Sequence, residues 1–415
     1  MIYASILLLL LTAAGNYGFQ RDGLSPGVVQ PLLWSFLLAG ASVMQQSFFT
    51  LSDATLFLSV LASLLFQAGF LLSASLLVPA SGSCTLAVDK TRSLRYRNLL
   101  ACVVVLVLPF YVKTAHHLVT TGPINDAAYN LRYALSDEGR GYGILAYGVT
   151  LSLFLLLLES FFFEVRSKWR LAAATALASV YCVLSTGRTF ILFLLICLLF
   201  PMILNGRLRL GRGLLVLLAI FLPVFYLYSV TLGKDGGGGV QSSLEVFSLY
   251  LYGGIFAFDK LSQGLAQFDH GGNLFRAFFA AAHLFDPSVQ VAPIVDDYEF
   301  IPIATNVYTI FGKAYRDFGM GGVLAYMFFV GVFQGHIYTV ARRGSVYYRI
   351  LLVFSFFALL MQFFQDQYLG MLSTWGQVFF LTFLFAVATR HGRRKQYFQS
   401  AALPQKGLAQ NLAGT

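Results

Sequence analysis

Long runs of apolar residues, separated by short polar connections, recur along the whole chain. Runs of about 18 or more largely apolar residues are typical of helices that cross a membrane. The pattern therefore predicts an all-α polytopic membrane protein with about eleven transmembrane helices. The predicted spans lie at roughly 1–15, 28–47, 54–79, 98–113, 142–163, 171–186, 189–205, 213–231, 319–340, 347–365 and 371–389.

Composition supports the same class. The sequence is 58% hydrophobic and 11% charged, with a mean hydropathy of +0.72, which lies outside the range of soluble domains. A transmembrane β-barrel would show alternating strands of about ten residues instead of these Leu- and Phe-rich runs. No connection predicts a soluble domain with its own core, so residues 1–415 are expected to form a single integral membrane domain.

Basic residues collect in the connections on one predicted side of the membrane. By the positive-inside rule these connections face the cytoplasm, which puts the N-terminus outside and the C-terminus inside. The formal net charge of +10 is then explained by orientation and by contact with lipid headgroups, and it is not evidence for nucleic-acid binding. The basic clusters are 89–97, 164–170, 205–213, 341–344 and 390–395.

Two connections on the opposite side are long, whereas the others there are tight turns. They cover about 113–141 and 233–318. The second opens with the glycine-rich stretch "GKDGGGG" and is long enough to fold as a structure of its own. We expect these outer segments to form a cap over a functional site.

Arg188 interrupts an apolar stretch, in the turn "STGRT" between two predicted spans. A guanidinium group keeps its charge, and burial in hydrocarbon is strongly unfavourable for it. Either the side chain extends toward lipid headgroups, or it faces the helical bundle and binds an anion. We favour anion binding, because Gly187 would let a ligand approach the backbone closely.

The first outer segment places a second cation beside aromatic rings. Tyr129, Arg132 and Tyr133 would share one side of a short helix. Aromatic rings stack on sugars and arginine binds phosphate, so Arg132 and Tyr133 are candidate substrate ligands. The alternative is that this stretch is a solvated loop.

The second outer segment contains two stretches with the periodicity of amphipathic helices. In the first, residues 273–286, phenylalanines form one side, and a narrow polar stripe includes Asn273, Arg276 and His283. Such a helix is expected to lie in the membrane interface with its stripe directed toward the cap.

The second stretch, residues 305–322, leads directly into the span that begins at Gly319. On a helix its polar side chains would share an arc of about 100°, with Tyr308 on the flank. Either two of them, spaced four residues apart, pair with each other, or the polar face lines a functional site, which we favour. The five residues of the face are Asn306, Thr309, Lys313, Arg316 and Asp317.

The motifs of several enzyme classes are absent from the sequence. It contains no Walker A loop, H-E-x-x-H, C-x-x-C or G-x-S-x-G motif. The stretch "VDDYE" (295–299) offers Asp297 and Glu299 as an acidic pair, but acidic pairs are common in outer loops. We therefore predict neither a metal site nor a cofactor.

These features together resemble the bacterial oligosaccharide repeat unit polymerases of the O-antigen polymerase type. The resemblance rests on the many spans, the two large outer segments, the "TGRT" turn and the segment "NVYTIFGKAYRDFGMGG". Arg132 and Gly143 also have the R-x10-G spacing of some members, which only Lys260 and Gly271 imitate in the second segment. The resemblance implies a fold like that of the GT-C glycosyltransferases and chemistry without a metal.

The resemblance also implies an activity. Such enzymes act at the periplasmic face of the bacterial inner membrane on oligosaccharides linked to undecaprenyl pyrophosphate. They move the growing glycan from its lipid carrier to the non-reducing end of a new lipid-linked unit. The reaction needs cations for the departing pyrophosphate, a base for the acceptor hydroxyl and an apolar groove for lipid. A chain-length regulator is a further partner that the family suggests.

On this hypothesis Asp317 either acts as the catalytic base or orients Arg316, and in the second case His283 is the better base. Two other functions stay open, namely an O-antigen ligase of the same fold class and a lipid-linked oligosaccharide transporter or flippase. Charges that cluster on one side argue against a transporter. The candidate ligands for pyrophosphate and sugar are Arg188, Arg132, Arg316, Arg276, Lys313, Asn306, Tyr308 and Tyr133.

Overall fold

The computed structural model describes residues 1–77, 88–124, 126–136, 141–231, 239–264, 268–293 and 295–390, without the side chains at 76–77, 136, 166, 188, 228–231, 239–246 and 303. Within these ranges the chain forms fourteen α-helices and a short antiparallel hairpin. The helices are α1 (Ile2–Gln20), α2 (Pro26–Met44), α3 (Asp53–Leu72), α4 (Lys90–Thr120), α5 (Ala127–Ser136), α6 (Tyr147–Phe161), α7 (Lys168–Leu184), α8 (Arg188–Leu204), α9 (Leu210–Thr231), α10 (Gly239–Gly264), α11 (Arg276–His283), α12 (Phe311–Arg342), α13 (Val346–Leu360) and α14 (Leu372–Thr389), and the hairpin strands are β1 (Glu299–Ile301) and β2 (Ile303–Thr305).

The helices confirm the predicted class of all-α polytopic membrane protein. Every predicted span corresponds to a helix. Among the described residues, nine helical segments are long and apolar enough to cross a membrane, namely α1, α2, α3, α4, α6 with the helical turn before it (Gly143–Phe161), α9, α12, α13 with the turn after it (Val346–Phe363) and α14. The other two predicted spans correspond to α7 and α8, which have 17 residues each. The number of about eleven crossings therefore stays a prediction.

The hydrophobic pattern did not predict α10. This helix of 26 residues lies within the second outer segment, directly after the glycine-rich stretch. Its residues Phe256 and Phe258 are fully buried, and the ring of Phe256 stacks on Phe48 with 4.6 Å between ring centres. α10 therefore fastens the second outer segment to the connection between α2 and α3.

Contacts between helix ends gather the basic connections at one end of the bundle, which we call the basic end. The opposite end, which we call the outer end, holds the described connections 45–52, 121–124, 126, 141–146, 185–187, 268–293, 295–310 and 361–371, together with α5. Which end faces the periplasm stays a prediction from charge. Three contacts join helix ends at the basic end. Nη1 of Arg342 lies 3.5 Å from a carboxylate oxygen of Asp22. The backbone N–H of Asp89 donates to the backbone oxygen of Thr389 at 3.1 Å, and Nδ2 of Asn205 donates to that of Phe161 at 3.1 Å.

A buried ion cluster also lies at the basic end. Glu159 is 3% exposed and lies between two arginines. Nη1 of Arg97 donates to one of its oxygens at 2.8 Å, and Nη2 of Arg170 donates to the other at 2.6 Å. Both oxygens of this carboxylate are engaged, which ties α4, α6 and α7 together.

α3 and α12 pack closely at glycines. A Cβ atom added to Gly69 of α3, or to Gly331 of α12, would clash with a backbone carbonyl of the facing helix. Small residues at such a crossing let the two backbones approach, which is the main source of packing energy between helices in lipid. This contact fixes the position of α12 in the bundle.

Candidate functional site

The helix that carries the predicted cations begins later than its periodicity indicates. α12 begins at Phe311. Thr309 has a φ of +57°, and the backbone N–H groups of Thr309 and Ile310 donate to backbone oxygens of segment 362–364. The predicted helical face of five polar residues is therefore wrong at Asn306 and Thr309. Pairing with the α13–α14 connection, a tertiary contact, overrides the local pattern here.

Lys313, Arg316 and Asp317 do lie on the first part of α12, which ends at a break. Gly319 has φ +63° and ψ −155°, a backbone conformation that favours glycine. The break separates the short helix over 311–318 from the long apolar part of α12. The sequence pattern predicted the start of the span at Gly319, but it also continued the amphipathic helix to residue 322, so it did not predict the break.

Arg316 is enclosed by the segment that precedes α12. Its guanidinium carbon lies 4.7 Å from the centre of the Tyr308 ring, and its Nη1 lies 3.6 Å from a carboxylate oxygen of Asp297. The Arg316 side chain is 13% exposed, and that of Asp297 is 88% exposed. This ion pair is loose, and Nε of Arg316 is a buried donor without a partner among the described residues.

Burial and nearby charges shift the pKa values of the groups around Arg316. The Tyr308 hydroxyl donates to the backbone oxygen of Asp297 at 2.6 Å, and burial raises the pKa of Tyr308 to about 12. Burial also raises the pKa of the Asp296 carboxyl, while Lys313 and Arg316 lower it to a smaller extent. The two cations of the face are therefore matched by two acidic residues from the preceding loop.

Asp317 is fully buried, and both of its carboxylate oxygens are engaged. One accepts from the backbone N–H of Leu274 at 2.6 Å, and the other from the backbone N–H (3.1 Å) and the side chain (2.9 Å) of Asn273. Among the described side chains it forms no ion pair with Arg316 or Lys313. This geometry favours a positioning role for Asp317 at the turn before α11, and its role as catalytic base stays a prediction.

The amphipathic helix predicted over 273–286 is present as α11 but is shorter at both ends. Nε of Arg276 donates to a backbone oxygen of the following loop at 2.7 Å. Nδ1 of His283 lies 2.8 Å from another backbone oxygen of that loop. The polar stripe therefore holds the loop 284–293. The other side of the helix exposes Phe278 (59%), and Phe285 (91%) is exposed just after the helix ends, as expected in an interface.

Asp366, in the α13–α14 connection, is a residue that the sequence analysis missed. It is fully buried, accepts from the Tyr326 hydroxyl at 2.5 Å, and accepts from two backbone N–H groups of 368–370 at 2.7 and 2.8 Å. Burial raises its pKa, and Lys313 opposes this effect. The available signal was the polar cluster "QFFQDQY" (362–368) between two apolar spans, which the hydrophobic pattern indicates only as a tight turn.

An apolar groove of about 610 Å³ opens beside this cluster. Its rim includes Leu274 and Phe318, which follow Asn273 and Asp317 in sequence. The groove therefore begins next to the site and continues along the membrane part of α12. Its lining residues are Leu274, Phe275, Phe318, Gly322, Ala325, Tyr326, Phe329, Val330, Phe333, Tyr368 and Leu369.

The first outer segment does form a short helix, α5, which packs against α4. It carries Arg132, which is half-buried, and Tyr133, whose ring lies nearly parallel to that of Tyr129 at 6.0 Å between centres. Gly143 has a φ of +56° at the start of a single helical turn. Substrate binding by Arg132 and Tyr133 stays a prediction.

Arg188 is the first residue of α8, after Gly187 as N-cap and Thr186 with a φ of +54°. Its side chain lies outside the described part of the structure. α8 packs against α13, whose C-terminal end leads to Asp366. The beginning of α8 therefore lies at the outer end of the bundle, and anion binding by Arg188 stays a prediction.

The acidic pair of "VDDYE" contacts two different cations. Glu299 lies 2.8 Å from Nζ of Lys260, whereas Asp297 lies beside Arg316. Within the described ranges, no group of three or more His, Cys, Asp or Glu side chains is placed to hold a metal ion. What the structure brings together is a set of cations, buried carboxyls and an apolar groove at one end of a helical membrane protein.

Comparison with known families agrees with this class of protein. The model of the family described as "Putative O-antigen polymerase" matches residues 25–389, which include every helix from α2 to α14. The chain therefore belongs to the O-antigen polymerase family, and the resemblance found in the sequence is confirmed. Membership supports a general function in O-antigen polymerisation. No curated protein and no solved structure matches the chain.

Proposed function

We propose that this protein polymerises oligosaccharide repeat units linked to undecaprenyl pyrophosphate, as a GT-C-like glycosyltransferase of the bacterial inner membrane with its site facing the periplasm. The observation that carries the proposal is that the first part of α12 carries Lys313 and Arg316 and ends at Phe318, a lining residue of the apolar groove, at the end opposite the basic connections. A lipid pyrophosphate combines these two requirements, because its anionic group and its hydrocarbon chain are adjacent.

In the proposed reaction a hydroxyl group of the acceptor attacks the anomeric carbon of the donor glycan. The bond between this carbon and the pyrophosphate oxygen breaks, and the lipid pyrophosphate leaves. Arg316 offers a fork of donors with Nε still unpaired, and Lys313 adds a second charge, so both stabilise the leaving group. Further proposed ligands from the outer segments are Arg188, Arg132, Arg276, Asn306, Tyr308 and Tyr133.

His283 is the better candidate for the base that takes the proton of the acceptor hydroxyl. A backbone oxygen only accepts hydrogen bonds, so Nδ1 of His283 carries the proton in the contact at 2.8 Å. In the neutral ring this leaves Nε2 as the atom that accepts a proton. Asp317, in contrast, already accepts three hydrogen bonds.

Purified protein incubated with lipid-linked repeat units and no other enzyme tests the proposed function. A polymerase produces a ladder of glycans on the lipid carrier. Transfer that occurs only when a lipid A core is added would show a ligase, and movement of unaltered substrate across vesicles would show a flippase. A chain-length regulator, the further proposed partner, would alter the length of the ladder but not its formation.

A further inference from the structure

A second apolar groove continues the first one toward the basic end. It has a volume of about 310 Å³ and lies between α12, α13 and α14. Phe333 lines both grooves, so they meet at this side chain. The lining residues of the second groove are Phe333, His336, Ile337, Tyr347, Tyr348, Leu351, Phe379, Thr382, Phe383 and Ala386.

The two grooves form a single lateral furrow, which we call the α12–α14 furrow. α12 and α14 both pack against α13, which supplies the floor of the lower part. Phe329 (65% exposed) and Phe383 (63% exposed) stand at its rims, so the furrow is open to lipid along its side. In its lower part Nε2 of His336 lies 3.3 Å from the Tyr348 hydroxyl, whereas the hydroxyl of Thr382 has no hydrogen-bond partner among the described residues.

The furrow is longer than one leaflet of a membrane. Its lining along the membrane part of α12, after the break at Gly319, extends from Gly322 to Ile337, and 15 residues of helix correspond to about 22 Å. The hydrocarbon core of a bilayer is about 30 Å thick, so one leaflet is about 15 Å thick. An acyl chain from one leaflet ends near the midplane and would leave the lower part of the furrow empty, whereas a long polyprenyl chain fills all of it.

We propose that the α12–α14 furrow holds one polyprenyl chain across both leaflets, so that the protein selects its lipid carriers by chain length. The chain enters beside Phe318, where Arg316 and Lys313 receive its pyrophosphate, and passes Phe333 into the lower part. This inference deepens the proposed function and rests on it. It assigns the upper part to every prenyl chain and the lower part to long chains alone.

Binding of two prenyl pyrophosphates to the purified full-length protein in detergent tests the inference. The probes are undecaprenyl pyrophosphate and geranylgeranyl pyrophosphate, which share a headgroup and differ in length, and native mass spectrometry measures both affinities. A prenyl chain that binds in the furrow leaves an environment of detergent or lipid that is equally apolar. The additional affinity of the long chain therefore comes from packing in the lower part, and we expect it to bind about 3- to 10-fold more tightly.

Two variants that each fill one part of the furrow distinguish the contributions of the upper and lower parts to binding. Ala386→Trp, in the lower part, should reduce the affinity for the long chain to that of the short one and leave the short one unchanged. Ala325→Trp, in the upper part, should weaken both. Ala176→Trp, an exposed alanine on α7, is the matched control and should change neither.

Several outcomes would overturn the inference. They are equal affinity of the wild-type protein for both chains, a length preference that persists in Ala386→Trp, and equal losses in all three variants, which would indicate bulk lipid in the furrow. Failure of the proposed function has a different signature, because the length preference would then be present while lipid-linked repeat units yield no ladder.

Discussion

Two pairs of arginine and carboxylate groups, at opposite ends of the bundle, are built differently. At the basic end, Glu159 is 3% exposed and lies 2.8 and 2.6 Å from two arginines. At the outer end, Arg316 lies 3.6 Å from Asp297, whose side chain is 88% exposed. The first carboxylate has no oxygen left for another partner, whereas the second pair is separated by more than a hydrogen-bond distance.

This difference shows where the protein can accept an anion. Removal of Glu159 leaves its arginines without their carboxylate, so that cluster serves the structure. Asp297, in contrast, can turn into solvent and leave the Arg316 guanidinium to a phosphate group. The ion pair with the weaker geometry is therefore the one expected at the functional site, and each of the following experiments tests this contrast.

Glu159→Ala should have the largest effect, and it should act on stability. Loss of the carboxylate leaves Arg97 buried without its partner, and breaking such a cluster lowers the free energy of unfolding by about 3–5 kcal/mol. Thermal unfolding of the purified protein measures this. Glu164→Ala is the matched control, because Glu164 is 67% exposed and 4.0 Å from Lys90. Equal stability of the two variants would contradict a structural role for the buried cluster.

Arg316→Ala should act on turnover rather than on folding. Loss of its donors to the leaving pyrophosphate should raise the activation barrier by about 2–4 kcal/mol, which lowers turnover roughly 30- to 1,000-fold. Arg316→Lys should restore only part of it, because an ammonium group lacks the planar fork. Arg212→Ala, at an exposed position of the basic end, should polymerise normally. Normal ladders from Arg316→Ala would remove this residue from the site.

Asp317→Asn should reduce donor binding and turnover together. The substitution replaces one carboxylate oxygen by an NH₂ group, which cannot accept the hydrogen bonds from Asn273 or Leu274. The hydrogen bonds that hold the turn before α11 are then weakened by about 1–3 kcal/mol. Donor affinity measured beside turnover distinguishes the two roles, since a catalytic base would lower turnover alone. His283→Ala should show that second behaviour. Asp286→Asn, which alters an exposed carboxylate near α11, serves as the control.

Asp297→Ala should strengthen donor binding. The substitution removes the carboxylate that competes with the donor for Arg316, and an exposed ion pair contributes about 0.2–1 kcal/mol, or up to about fivefold in affinity. Binding of inorganic pyrophosphate to the detergent-solubilised protein would show the effect without knowledge of the sugars. Weaker binding in Asp297→Ala would instead mean that Asp297 holds Arg316 in place for the substrate.

Acidification should also strengthen donor binding, to a smaller extent. Burial raises the pKa of Asp296, so this carboxyl takes up its proton at a higher pH than an ordinary aspartate. Once neutral, it no longer offsets the charges of Lys313 and Arg316, and the affinity should rise about two- to threefold as the pH falls through its pKa. Asp296→Asn should show the higher affinity already at neutral pH and lose this pH dependence.

The sequence predicts the bundle better than it predicts the site. Apolar runs and basic clusters identify the helices and the end at which Arg92 contacts Arg390, because both signals are local. The start of the span at Gly319 was predicted for the same reason, whereas the break in the helix there was not. α10 was missed because glycines precede it and its apolar run, residues 246–258, is shorter than a membrane span.

The site depends on contacts between distant parts of the chain, which a local pattern does not contain. Thr309 leaves the helix because its backbone pairs with segment 362–364. Asp317 is turned toward Asn273 by a bond that spans 44 residues of sequence. Asp366 lies in an apparent tight turn and becomes part of the cluster only through Tyr326 and Lys313.

The glycine contact between α3 and α12 has a consequence for elongation. Gly69 and Gly331 let the backbones of α3 and α12 approach closely, and this contact holds the membrane part of α12, which leads to the site, at one height in the bilayer. On the proposed function, every new glycosidic bond is made at this height. A product that lengthens with each cycle then meets an unchanged site, since its older units have already moved out into the solvent. Growth without a fixed end point needs a site that stays in one position, and the contact at two glycines in the membrane provides it.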